Sequence, residues 1–130
     1  MGYIFGKEEL TGIEEVLGKN LIELGVHCVV LIDMAGNIIA ELDNGEMKPD
    51  VYSLAALAAG NFGAVSAMAK IVGEDEFSLL FHKGNKECLH FSKIMTDLLL
   101  ITIFGHDLSL GFLRLKVAET TKMIEKILQS

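Results

Sequence analysis

Val51-Tyr-Ser-Leu-Ala-Ala-Leu-Ala-Ala-Gly-Asn-Phe-Gly-Ala-Val-Ser-Ala-Met-Ala-Lys-Ile71 reads as one helix, apolar on nearly every side and built largely from the smallest residues. Ala55, Ala59, Gly63 and Ala67 recur every fourth position, and Ala56, Gly60 and Ala64 form a second row beside them. Residues four apart share a helix face, so two smooth rows run where another backbone can come close. Leu54, Leu57, Phe62, Val65 and Met68 supply bulk elsewhere. A helix apolar all round has to be covered all round. In a small domain the sheet covers one side. The other is left for self-association or a protein partner rather than for a catalytic centre.

Upstream of this helix, residues 7–24 carry Leu10, Ile13, Leu17, Leu21 and Leu24 at helical spacing, with glutamates largely opposite, and Gly25 supplies a stop. The run 26–33 is continuously apolar up to Asp33, as suits a strand buried on both faces. Met34–Asn37 turns it into a partner strand at 38–42, and the polar loop 43–50 delivers Asp50 as N-cap of the small-residue helix. Downstream, Phe77, Leu79 and Phe81 alternate with Ser78, Leu80 and His82, which predicts a strand over 77–82. Lys83-Gly-Asn-Lys86 predicts a two-residue hairpin turn, since Gly and Asn tolerate positive φ. The chain returns at 88–94, turns at Thr96-Asp97 and enters a second unbroken apolar run, 98–104. Asp107 or Ser109 caps a last helix to about Leu128, with Leu113, Val117, Thr120, Ile124 and Ile127 inward.

The order is helix, two strands, helix, three strands, helix. This predicts an α+β fold, a five-stranded antiparallel sheet with two amphipathic helices on one face and the small-residue helix on the other. The two unbroken apolar runs take its centre. A Phe- and Leu-rich strand at 77–82 falls at an edge, where an unpaired ladder invites another chain. The helix and that edge make the same demand for a second copy.

One hundred and thirty residues fit one domain, 1–130, and half of them are apolar. A formal charge of −7 disfavours nucleic acid and anionic membranes as partners. Ser53, Asn61, Ser66 and Lys70 weigh against a spanning helix at 51–71, so no membrane insertion is expected. Cys28 and Cys88 lie in apolar runs without framework spacing and read as reduced thiols, which fits a cytoplasmic protein with no signal peptide.

Catalytic chemistry finds little support. There is no Gly-x-x-x-x-Gly-Lys or Gly-x-Gly-x-x-Gly run, and Gly60-Asn-Phe-Gly63 sits inside the helix pattern, where close packing accounts for it. His27 and Cys28 are strand neighbours and point to opposite faces, so with Cys88 and His90 they make a poor metal site. Glu8/Glu9, Glu14/Glu15 and Glu74-Asp-Glu76 fall on solvated surface. Arg114, the only arginine, is expected to pair with a surface carboxylate, a partner contact being the other reading. No cofactor, metal or catalytic residue is assigned, and the chain is not read as an enzyme.

The helix Leu54-Ala-Ala-Leu-Ala-Ala-Gly60, the hairpin Asp33-Met-Ala-Gly-Asn37 and Leu110-Gly-Phe-Leu-Arg-Leu115 opening the last helix together resemble the roadblock/dynein light chain family over essentially the whole chain. Within it the chain looks most like the stand-alone bacterial members, including the motility-polarity regulator that works with a Ras-like GTPase. The resemblance implies a homodimer in which second helices pack together and third strands pair. It also implies a non-catalytic scaffold or activator of a small Ras-like GTPase that acts without an arginine finger. On that basis Ala55, Ala59, Gly63, Ala67, Phe77, Leu79 and Phe81 are expected at the dimer interface, and Ala56, Gly60 and Ala64 at the partner surface. A dimeric small-molecule sensor with no GTPase partner is the alternative; the tightly packed Ala/Gly helix argues against it.

Overall fold

The two apolar runs take the centre of the sheet. In a computed structural model that describes residues 5–129, β1 (Cys28–Asp33) and β5 (Leu98–Phe104) pair with each other and are buried along almost their whole length. β2 (Ile38–Asp43) flanks β1, β4 (Cys88–Ile94) flanks β5, and β3 (Leu80–Lys83) forms the far edge. The order β2-β1-β5-β4-β3 is antiparallel throughout. Side chains alternate across a strand, so each central strand feeds two cores. Val29, Leu31, Leu98, Leu100 and Phe104 pack with Ile13 and Leu17 of α1 (Lys7–Asn20) and with Leu113, Val117 and Ile124 of α3 (Leu110–Gln129). Cys28, Val30, Ile32, Leu99, Ile101 and Ile103 pack with Val51, Ala55 and Ala58 of α2 (Val51–Ile71). The predicted architecture stands: two helices on one face, the small-residue helix on the other.

Helix ends follow local chemistry. The Asp50 carboxylate accepts from the Ser53 amide at 3.1 Å and from its hydroxyl at 2.7 Å, closing the first turn of α2. At α3 the cap is Ser109, whose hydroxyl accepts from the Phe112 amide at 3.1 Å. The first helix stops at Asn20, earlier than its apolar periodicity suggests, and tightens into a 3₁₀ turn at Ile22–Leu24 before Gly25 reverses the chain at φ 111°. Gly36 brings the β1–β2 turn onto α2: at φ 89° its missing Cβ would lie 3.3 Å from the Cα of Ala56.

Two expectations for the third strand fail. It begins at Leu80 rather than at 77, so Phe77 and Leu79 precede the ladder. Alternation reports which way side chains point, and it cannot say where the partner strand's pairing begins. The β3–β4 connection is also longer than two residues. Lys83 pairs with Cys88, so Gly84–Glu87 form the loop, and neither Gly84 nor Asn85 has a positive φ. Glycine is needed at 84 for a different reason. A Cβ there would meet the Glu87 carbonyl oxygen at 2.6 Å, the same oxygen that accepts from the Gly84 amide at 2.9 Å.

Candidate functional site

The surface that needs explaining is the outer face of α2. Its sheet-facing stripe is Val51, Ala55, Ala58 and Ala69, with Leu54, Ala59 and Phe62 half-buried beside them. The opposite side carries Tyr52, Leu57 and Ile71, which are 76, 72 and 83% exposed, and Met68 and Val72 extend the patch. At 21 residues α2 is also long and apolar enough to cross a membrane by length and composition.

The row Ala55, Ala59, Gly63, Ala67 does not stay on one face. An α-helix turns about 40° beyond a full revolution every four residues, so three such steps rotate a row by roughly 120°. Ala55 is fully buried against the chain's own sheet, Ala59 is half-buried, and Gly63 and Ala67 are exposed. Ala55 is therefore removed from the candidate interface: β1 and β5 already occupy it. Ala56, Gly60 and Ala64, the second row, are all exposed.

Gly60 and Gly63 are the sharpest feature of this face. A Cβ built at either position meets nothing within 4 Å among the described residues. Glycine in a helix interior costs about 0.8–1 kcal/mol relative to alanine. No contact within the described residues gives a reason for it at either position.

At the end of the sheet lies the β3 edge, whose Leu80 packs against the α2 core. Phe77 and Leu79 are exposed, in the segment that leads into the strand. Phe81, expected with them, instead packs against the α1/α3 core, its ring stacked on Phe104 at 6.0 Å between centroids. Two of the three predicted edge residues thus lie before the strand rather than in it, and Phe81 turns inward.

The remaining candidates are placed without ambiguity. Cys28 faces the α2 core and Cys88 the α1/α3 core, with β5 between their strands, so they cannot share an ion. Burial, then the charges of Asp43 and Glu41, push the Cys28 thiol up to about 11, which removes it as a nucleophile at neutral pH. His27 Nδ1 lies 2.7 Å from Glu87 Oε1, tying the start of β1 to the β3–β4 loop. Of the acidic cluster, Glu76 pairs with Lys93 at 3.0 Å. Arg114 makes no ion pair among the described residues, contrary to expectation. It lies instead near the buried His90.

The family model of the Roadblock/LC7 domain matches residues 13–104. Among solved structures, Myxococcus xanthus MglB is 31% identical with a TM-score of 0.87, covering 98% of this chain and 95% of its own. The gliding protein MglB of Thermus thermophilus is 28% identical with a TM-score of 0.86, covering 97 and 94%. An MglB described as having a tetrameric arrangement is 27% identical with a TM-score of 0.87, covering 97 and 93%. No match is found among curated protein sequences. The family match spans both central strands and the whole of α2, and the Myxococcus likeness runs almost end to end; the chain belongs to the Roadblock/LC7 domain family.

Proposed function

We propose that the protein is a homodimeric regulator of a small Ras-like GTPase, acting from the outer face of α2. The observation that carries this reading is the pair Gly60 and Gly63, helical glycines open to solvent in the middle of an apolar face. A Cβ-free surface is useful where a second backbone approaches within van der Waals distance, and it has no such neighbour among the described residues. Exposed Tyr52, Leu57, Met68 and Ile71 around it give the apolar area that a stable contact requires. The short β3 edge, at one end of the sheet, is open to pairing with a second copy.

The choice of a GTPase as partner is supported by the likeness to MglB proteins and by the resemblance to the roadblock family's bacterial regulators. In this role the chain supplies no catalytic group of its own and works in the cytoplasm. The Thermus relative is described as a gliding protein, which makes surface motility the first process in which to look for the partner.

The experiment is a titration of the protein against the Ras-like GTPase of its own organism, loaded in one series with a non-hydrolysable GTP analogue and in the other with GDP. Preference for the GTP form is required, because a ligand with equal affinity for two states shifts neither. Gly60→Arg is expected to abolish binding. Equal binding to both forms, or binding that survives Gly60→Arg, would defeat the mechanism.

A further inference from the structure

At the sheet edge beside the C-terminal half of α2, the described residues line a half-open space of mixed polar and apolar character that the GTPase reading does not use. β3 starts opposite Phe91, so Ser92–Ile94 of β4 run on with no strand at their outer edge. The segment before β3 closes part of this gap, and the Glu76–Lys93 ion pair at 3.0 Å ties it to β4. What remains is a cavity of about 260 Å³ between that segment, the β4 edge, α2 and α3. It lies just under the range of about 300–1,000 Å³ typical of drug-sized ligands, so it suits a small molecule.

Its walls have two characters. Three of the seven phenylalanines line it, Phe62, Phe77 and Phe91, with Leu80 beside them. On the other side stands Arg114, the only arginine of a chain whose formal charge is −7, without a carboxylate partner among the described residues. Ser78 and Ser92 border the same space. His90 forms part of the wall, is only 5% exposed, and has an Nδ1 with no hydrogen-bond partner. Burial, and then the nearby Arg114 charge, lower the His90 pKa to about 4, so its ring is neutral at physiological pH and leaves Arg114 as the unpaired cation.

A guanidinium presents a planar fork of donors that matches a carboxylate in two parallel bonds, and phenylalanine rings favour an aromatic ring stacked or edge-on. We propose that this cavity binds a small aryl carboxylate, its carboxylate forked on Arg114 and its ring against Phe62, Phe77 and Phe91. The site shares Phe62 with α2 and Phe77 with the edge expected to meet a second copy, but its ligand chemistry needs no GTPase. Because of that shared edge, the measurement is made on the protein in its own assembly.

The single arginine gives a single side-chain Nε–H resonance, which makes ¹H–¹⁵N NMR a direct reporter. Three probes separate the parts of the site: benzoate, benzyl alcohol with the ring but no charge, and inorganic phosphate with the charge but no ring. Benzoate is expected to move the Arg114 Nε–H and the Ser78, Ser92 and Lys93 amides saturably, with a Kd of roughly a millimolar or below. Benzyl alcohol and phosphate are each expected to bind at least about tenfold more weakly, one decade being about 1.4 kcal/mol. Arg114→Gln is expected to abolish the benzoate response with the melting temperature unchanged, and Arg114→Lys to restore it in part. A non-saturating benzoate response, or one that Arg114→Gln leaves intact, overturns the site. A phosphate response equal to that of benzoate overturns the role of the rings, and an equal benzyl alcohol response overturns that of Arg114.

Discussion

At Gly84 and Gly60 the same residue type is kept for opposite reasons. At Gly84 a methyl group would lie 2.6 Å from the Glu87 carbonyl oxygen, a backbone atom that cannot swing away. Gly84→Ala must open the β3–β4 loop, and forced backbone shifts of this kind cost about 1–3 kcal/mol. Calorimetry is expected to show a melting temperature lower by roughly 5–10 °C; an unchanged transition would mean that the loop relaxes freely. His90 sets a second residue-scale expectation. Burial first, then Arg114, lower its pKa from 6.5 to about 4. The unfolded chain therefore binds more protons between those values, so stability is fully present above pH 6.5 and is lost as the pH falls towards 4. The loss is on the order of 3 kcal/mol. His90→Phe, which keeps a ring and removes both the titration and the unpartnered Nδ1, is expected to flatten that acid limb in urea midpoints measured from pH 7 to 4. An equally steep limb in the variant would assign the acid sensitivity to other groups.

α2 was legible in the sequence from Val51 to Ile71 because a 21-residue apolar run with an aspartate before it admits no other element. The central strands were legible for a related reason: a run apolar on both faces, such as Leu98–Phe104, has to lie between two covering layers. Two things were not legible. One is which small residues face outward, because a four-residue row winds round the helix and Ala55 ends against the sheet while Ala67 faces solvent. The other is the cavity, which exists only because β3 begins at Leu80 and leaves Ser92 unpaired on that side. Strand alternation at Phe77, Leu79 and Phe81 carries no information on where pairing stops. Arg114, unique in the sequence, was the one available signal. The packing role of the exposed glycines can be tested on the helix alone. Gly63→Ala adds a methyl group into open space within its own chain. At protein concentrations low enough to hold monomers, it is expected to raise stability by up to about 1 kcal/mol through helix propensity. In a close-packed dimer the same methyl separates the two backbones, so light scattering is expected to show weaker self-association, and Gly63→Arg a monomer. Raised stability with unaltered self-association would move the contact away from Gly63.

For the whole molecule, the sheet separates two regions with different chemistry. α2 carries the exposed apolar face on one side, whereas Arg114 belongs to α3, which packs with the opposite core. If α2 faces pair about a two-fold axis, the surface on that axis is shared by both copies and admits one asymmetric partner. Mass measurement of the complex is then expected to give two protomers per GTPase. The only arginine belongs to α3, which packs on the core opposite that of α2, so it is not expected to reach the nucleotide as a finger. An inserted arginine typically raises GTP hydrolysis by 10³–10⁵-fold; stimulation by this protein is expected to stay well below that, by ordering groups the GTPase already owns. Arg114→Ala should accordingly leave the stimulated rate and the two-to-one mass unchanged, while Gly60→Arg removes both. A rate that collapses in Arg114→Ala while binding persists would place that guanidinium at the nucleotide and require the GTPase to engage α3 instead of α2.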